Sequence, residues 1–344
     1  MLGKSTLAPL HPPLHPAMLD PWDCALAWGA GTVLAVLTAT EGAAYRNAGA
    51  AMAIHPDGRF AGAITSGCIE ADLILRASEV RRTGQVQDLR YGAGSPFFDL
   101  RLPCGGAVEI RLFSLLDTGI LGDLAQARAA RQPVSLAVSA EGRLALEGWQ
   151  PTGLQGAALH IGFLPALRFL VFGTGAEAAA FTGIVRGMGH EHVLLSPEDL
   201  SLGAVRAAGS PVMQIDPSLP AVPLPADADT AAILFFHDHD LEPAILQHLL
   251  QTPAFYIGAQ GSRAAQAARL SRLREMGVPE DQLARIHGPV GLIPSSREPN
   301  ALAVSVLAEI IDLHQKRATG LCAAGRGGAR AAPAGLRADW RRSS

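Results

Sequence analysis

The chain reads as an α/β protein, an N-terminal mixed α/β domain followed by a doubly wound parallel sheet, and three observations predict it. From Arg168 onward, short apolar runs alternate with helix-patterned runs, the signature of parallel strands joined by crossover helices. The first of those runs ends in Gly173-Thr174-Gly175 directly before a helical stretch. The earlier part carries a hairpin instead, with Ala51 to His55 and Arg59 to Ile64 flanking Pro56-Asp57-Gly58, where Asp-Gly supplies the turn. The expected division is a flexible N-terminus over 1–19, a first domain with a bridging segment over 20–164, a second domain over 165–317, and a disordered tail over 318–344.

The elements follow in order. Trp22 to Trp28 reads as a helix, and Thr32 to Thr38 is apolar and β-branched enough for a buried strand. After Cys68 the spacing of Ile69, Leu73, Ile74 and Val80 follows one helical face, so Cys68 opens a helix. Val108 to Phe113 alternates like a half-buried strand, which Cys104 precedes. An Ala-rich helix over Leu121 to Arg131 and a strand from Pro133 to Val138 lead into glycine-punctuated strands that complete the first domain or bridge to the second. The second domain then runs strand (Phe169 to Phe172), helix (Ala176 to Met188), strand (His192 to Leu195), and strands at Pro211 to Ile215, Ala231 to Phe236 and Phe255 to Ile257. Gly, Ala and Arg dominate Thr319 to Ser344, where burial cannot offset the entropy of ordering.

Composition excludes several classes. With 344 residues, 49% hydrophobic and 17% charged, the chain has the material for two cores. Its 28 Lys+Arg against 31 Asp+Glu leave a net charge of −3, which gives no purchase to a nucleic acid. The longest apolar run, Cys24 to Ala39, is interrupted by Gly29 and Gly31 and is short for a membrane span. Cys24, Cys68, Cys104 and Cys322 form no C-x-x-C pair, so neither a disulfide framework nor a zinc knuckle is encoded and a cytoplasmic location is expected.

Two cysteines carry the chemistry. Thr65-Ser66-Gly67-Cys68-Ile69-Glu70 and Pro103-Cys104-Gly105-Gly106 each set a thiol beside glycine, which leaves backbone N–H groups bare. A thiol at a helix start also feels the positive end of the dipole, and such thiols suit soft metals and sulfur chemistry. The alternative is that both are small core fillers.

In the second domain Gly173-Thr174-Gly175-Ala176-Glu177-Ala178 matches part of a dinucleotide fingerprint of the Rossmann type. Ala178 stands where a third glycine is common, and Ser196 where an acid would grip a ribose, so a structural turn and a nucleotide site both remain open. His237-Asp238-His239-Asp240 falls at a strand's carboxyl end, where two imidazoles at i and i+2 can share a metal, or an aspartate can simply cap the helix from Leu241 to Leu250. At Gly261-Ser262-Arg263, Ser262 is a cap and Arg263 a candidate anion contact.

Several segments in this order resemble the XdhC family, accessory proteins for maturation of molybdenum hydroxylases. They are the hairpin through Cys68 and Glu70, Cys104-Gly105-Gly106, Thr230 to Asp240, Phe255-Tyr256-Ile257-Gly258 with Gly261-Ser262-Arg263, Arg285-Ile286-His287 to Gly291, and Ala303 to Ile310. The resemblance implies a fold ending in a Rossmann-like domain. It also implies a maturation factor rather than an enzyme, which binds molybdenum cofactor (molybdopterin), protects it during sulfuration and hands it to an apo molybdenum hydroxylase of the xanthine dehydrogenase type.

On that view Cys68 and Cys104 sit at the metal end, with Arg46, Gly67, Glu70, Gly105, Gly106, Gly173, Gly175, His237, Asp238 and Arg263 as further contacts. A cysteine desulfurase is a second expected partner, a dinucleotide a second expected ligand, and a homodimer the expected assembly. The chain departs from the family pattern at Ser66, at Pro103, in Gly42-Ala43-Ala44-Tyr45-Arg46 and at Gly288. The competing reading is an NAD(P)-dependent oxidoreductase built on the glycine turn, with His237 or His239 as proton donor.

Overall fold

A computed structural model describes residues 15–65, 67, 69–95, 102, 105–216, 226–294 and 296–324, with backbone alone from 318 onward. The chain divides into two compact units, the first carrying residues up to Leu164 and the second Pro165–Gly320.

The described part of the first unit opens with a short 3-10 turn, Pro16–Met18. Proline fixes the turn's first φ, and His15 Nδ1 accepts the Ala17 N–H. Helix α1 (Pro21–Trp28) is capped by Asp20, whose carboxylate accepts from the Trp22 and Asp23 amides, and has proline in its first turn. Strands β1 (Val33–Glu41), β2 (Ala51–Ile54) and β3 (Phe60–Gly62) follow, β2 and β3 pairing antiparallel across the Asp57-Gly58 turn. Helix α2 (Glu70–Thr83) ends at Gly84 in the left-handed conformation. Strands β4 (Gln87–Gly92) and β5 (Ala107–Ser114) complete an antiparallel sheet of order β3-β2-β1-β5-β4.

Helix α3 (Gly119–Ala129) leads to a second antiparallel sheet, β6 (Val134–Val138), β7 (Leu144–Gly148), β8 (Gly153–Gln155) and β9 (Ala158–Phe163), in the order β7-β6-β9-β8. It shares one buried core with the first sheet, in which Leu34, Val36 and Phe113 meet Val134, Leu136, Leu146 and Ile161. On the other face of the first sheet, Leu73, Ala77 and Val80 of α2 bury Val33, Ala35, Leu37, Ile110 and Leu112. Covered on both faces, β5 is buried nearly throughout, not half-buried as its alternation predicts; Glu109 is among the few positions left partly open.

The second unit alternates as the sequence predicts. Strand β10 (Arg168–Gly173), helix α4 (Gly175–Gly187), β11 (Glu191–Ser196), α5 (Asp199–Ala207) and β12 (Val212–Gln214) form one half. Strand β13 (Thr230–Phe235), α6 (Glu242–Leu250), β14 (Tyr256–Ala259), α7 (Arg263–Glu275), the single turn α8 (Glu280–Leu283) and β15 (Ile286–His287) form the other. The sheet is parallel throughout, of order β12-β11-β10-β13-β14-β15, so the strand order reverses between β10 and β13. A crevice at the carboxyl ends of those two strands is where doubly wound sheets hold ligands.

One face packs on Phe181 and Val185 of α4, Leu202 and Val205 of α5, and Ala303, Val306 and Ile310 of α9 (Pro299–Ala324). The other packs on Ile245, Leu246 and Leu249 of α6 and Leu273 of α7. Helix α9 continues to Ala324, past the point where the tail was expected to start; Leu321, Ala323 and Ala324 are strong helix formers. The rest of that expected tail, 325–344, lies outside the described residues.

Candidate functional site

Cys68 and Cys104, the predicted metal-end thiols, lie outside the described residues, but their neighbours in sequence are defined. Ile64 and Ile69 on either side of the first loop, and Leu102 before the second, are all buried in the core cluster under α2, together with Leu73 and Tyr91. The start of α2 is tied to the end of β4, since the Tyr91 hydroxyl donates to Asp72 Oδ2 at 2.5 Å and Arg76 Nε holds the same oxygen at 2.6 Å.

One residue on, Gly92 backs against Gly106, and an added β carbon on Gly92 would fall 2.1 Å from the Gly106 carbonyl oxygen. Gly106 in turn abuts the loop leading to Arg46: a β carbon there would lie 2.1 Å from Ala43 O and 2.7 Å from Glu41 O. Glycine is therefore demanded at 92 and 106 by backbone-to-backbone contact. At Gly67 (φ +101°) and Gly105 (φ +72°) an added β carbon would meet nothing within 4 Å among the described residues, so positive φ selects glycine there. Arg46 and Tyr45 are exposed.

Glu70 is the buried polar centre of this region. Its carboxylate accepts from the amides of Ile64 (3.2 Å), Thr65 (2.6 Å) and Ile69 (3.2 Å) and from the Thr65 hydroxyl (2.7 Å). Burial pushes the carboxyl up, but the Thr65 hydroxyl and these amides outweigh it and hold it below the usual carboxylate range. Predicted as a cofactor contact, Glu70 turns its oxygens onto its own loop.

A separate cleft of about 320 Å³ lies on the opposite face of the first sheet from α2, lined by Thr38, Asp88, Arg90, Glu109, Arg111 and Leu154. Its charges are paired: Arg111 grips Asp88 with two nitrogens, at 2.8 and 3.0 Å, and Arg90 bridges Glu41 and Glu109.

In the second unit Gly173 and Gly175 flank the switch point. A β carbon on Gly173 would lie 2.5 Å from Phe235 O, and the Thr174 amide donates to the same oxygen, so the turn closes onto β13. The Gly175 amide is taken by Ser201 Oγ at 2.9 Å, whose hydroxyl donates to Glu198. Across the crevice His237 Nε2 meets Glu177 Oε2 at 3.3 Å. His239 Nδ1 meets Glu242 Oε1 at 3.1 Å, so the two imidazoles answer to different carboxylates.

Among the described residues no group of three or more metal-ligating side chains gathers. Asp238 caps the turn that follows by accepting the Asp240 amide, and Ser262 caps α7 by accepting the Ala265 amide. Arg263 is exposed.

The comparisons bear on the whole of this architecture. The XdhC and CoxI family description matches residues 25–92, and the XdhC Rossmann domain matches 169–310. The molybdenum cofactor insertion chaperone PaoD of Escherichia coli is 33% identical over 296 residues, covering 85% of this chain and 87% of PaoD. The chain belongs to the XdhC family. Another relative, a probable xanthine dehydrogenase component from Bacillus subtilis, is 24% identical over 83% of this chain and 93% of that protein. A crystal structure of a xanthine dehydrogenase from Bacillus halodurans superposes with a TM-score of 0.68 at 21% identity, over 83% of this chain and 92% of that one, and shares the fold.

Within this XdhC protein the predicted contacts fall into two sets. Arg46, Gly67, Glu70, Gly105 and Gly106 belong to the first unit, and Gly173, Gly175, His237, Asp238 and Arg263 to the second. Sequence reasoning missed the residues that hold these sets in place. Asp72 and Tyr91 are one example, a helix acid and a strand tyrosine 19 residues apart. A second is Arg269, buried on α7, whose Nε meets Glu242 at 2.6 Å and whose other nitrogens reach Gln266 Oε1 at 2.5 Å and Gln260 O at 2.7 Å. Its signal in the sequence is faint: it is one of four arginines on α7, set apart by falling in line with Leu273.

Proposed function

We propose that the protein is a molybdenum cofactor-binding chaperone that protects the cofactor during sulfuration and delivers it to a molybdenum hydroxylase of the xanthine dehydrogenase type. The observation that carries this reading is the burial of Ile64, Ile69 and Leu102 in one core, which ties the bases of two cysteine-bearing loops to the same end of one sheet. Kinship with an insertion chaperone along most of both chains supports it.

The cofactor is the cargo, and the residues present suit it. By residue type Cys68 and Cys104 supply soft thiols for the metal, Gly67 and Gly105 add no side chain to crowd a ligand, and Arg46 is an exposed cation for the phosphate. Binding without turnover is the expected behaviour. The oxidoreductase alternative has no observation of its own in its favour.

In the finer reading the second unit binds a dinucleotide at the switch point. The strand order and the glycine turn favour this, while Glu177 and Glu198 beside the turn oppose a bare pyrophosphate. A cysteine desulfurase supplies the sulfur, two copies of the chain pair, and the exchange takes place in the cytoplasm. Among the described residues no helix is long and apolar enough to cross a membrane.

The test is anaerobic purification from cells making the cofactor, with molybdenum and pterin quantified in wild type, Cys68→Ala and Cys104→Ala. Wild type is expected to carry both, and each variant to lose at least about tenfold, the loss of one good ligand bond. Wild-type retention in both variants would remove the thiols from the site.

A further inference from the structure

We propose that His239 is a ligand-binding residue of the second unit: the buried Glu242–Arg269 pair fixes its ring with the proton on Nδ1, and Nε2 is thereby offered as a hydrogen-bond acceptor to a ribose hydroxyl of a nucleotide at the switch-point crevice. This rests on the reading of the second unit as a dinucleotide site and names one of its contacts.

A chain of side chains runs from the interior to that edge. Glu242, the first residue of α6, is fully buried, and each of its oxygens has its own partner. Oε2 accepts from Arg269 Nε at 2.6 Å, and Oε1 faces His239 Nδ1 at 3.1 Å. Arg269, its side chain 1% exposed, donates with its other two nitrogens to Gln266 Oε1 and Gln260 O. A guanidinium offers only donors, which suits an ionised carboxylate, and an ionised carboxylate offers only acceptors to Nδ1. The proton of a neutral imidazole then sits on Nδ1 and the lone pair on Nε2.

The ring is held on a second side. Gly261, at φ +141° after β14, backs onto it: an added β carbon would lie 3.4 Å from His239 Cε1 and 3.0 Å from Ala265 Cβ. With Nδ1 and Cε1 turned inward, the edge of the ring left to solvent carries Nε2, in a side chain that is 41% exposed. Nε2 has no protein partner among the described residues. Apolar groups of similar bulk would stabilise the α6–α7 contact about as well as a buried ion pair, so stability alone does not explain charges placed behind an exposed imidazole.

The position and the chemistry of the edge select the ligand group. His239 lies just past β13, in the half of the sheet made by β13, β14 and β15, whereas the glycine turn at 173–175 belongs to the other half. A dinucleotide lies across both halves of such a sheet, so one nucleoside falls to each. Acceptors line the crevice: Glu177 and Glu198 on the first half, His239 Nε2 on the second. Carboxylates repel phosphate oxygens but accept from hydroxyls, so the group recognised is the sugar diol.

The experiment uses full-length protein purified without cargo and carrying isotope-labelled histidine. Nitrogen NMR at neutral pH is expected to show wild-type His239 protonated on Nδ1 and bare on Nε2. In Glu242→Leu with Arg269→Met, which removes the pair without stranding either charge, the proton is expected to move largely to Nε2. Calorimetry then gives affinities for NAD, ADP, GDP, CDP and UDP, and for the analogue of the tightest binder that lacks ribose hydroxyls. Wild type is expected to favour the hydroxyl-bearing ligand by about fivefold or more. His239→Ala and the double variant are expected to lose that preference, with a similar fall in affinity.

His239→Ala, a truncation in an exposed turn, carries the affinity test should the double variant not fold. A wild-type ring with its proton on Nε2, or a variant with the full wild-type preference for the hydroxyls, overturns the proposal and leaves the dinucleotide reading standing. Failure of wild type to bind any of these nucleotides overturns the dinucleotide reading, and the proposal with it.

Discussion

Alanine at Gly106 is expected to destabilise the first unit by about 3 kcal/mol or more, lowering its unfolding transition by roughly 6–12 °C, and to reduce cofactor retention with it. The added carbon would sit 2.1 Å from Ala43 O and 2.7 Å from Glu41 O. Both are backbone atoms, so no rotamer change relieves the overlap; β1 and β5 must part at the point where Glu41 pairs with Ala107.

Gly105 supplies the control. Its β carbon would meet nothing among the described residues, and alanine there costs the left-handed backbone, about 1 kcal/mol. Calorimetry of the two variants side by side checks the ordering. Greater damage from Gly105→Ala than from Gly106→Ala would mean that the loops do not meet as described. Because the Gly106 contact joins the Cys104 segment to the loop leading to Arg46, loss of cofactor should track loss of stability in Gly106→Ala.

That contact also marks what a sequence can and cannot disclose. Signals written within a few residues were legible: Asp57-Gly58 made the hairpin, Gly173-Thr174-Gly175 opened α4, and the alternation after Arg168 produced the parallel sheet. The glycines at 67, 105 and 106 were flagged as one class, yet they serve different ends, since only Gly106 answers to a backbone 63 residues away in sequence, at Ala43.

Glu70 was legible as important but not in its role, because its four donors converge only once the chain has turned back at Gly67. The double burial of β5 was hidden for a similar reason. Its outer face is covered by a sheet formed from residues 134–163, which the pattern of β5 itself cannot report.

Removing the buried carboxylate of Glu242 is expected to cost the second unit about 3–5 kcal/mol, a fall of roughly 10 °C or more in its transition. Glu242 is fully buried and the Arg269 side chain is 1% exposed, so Glu242→Ala strands a guanidinium in a dry interior. Gln266 Oε1 and Gln260 O remain as neutral acceptors and offset only part of that cost. His239 loses its partner at the same step, which loosens the turn at the carboxyl end of β13.

The double variant Glu242→Leu with Arg269→Met separates charge from packing. With both ions replaced by apolar groups of similar bulk, most of the loss should be recovered. Were the double variant no more stable than Glu242→Ala, the network would be holding α6 against α7 by shape and by its remaining hydrogen bonds, and the ion pair would not be the element that fixes His239 at the edge of the switch-point crevice.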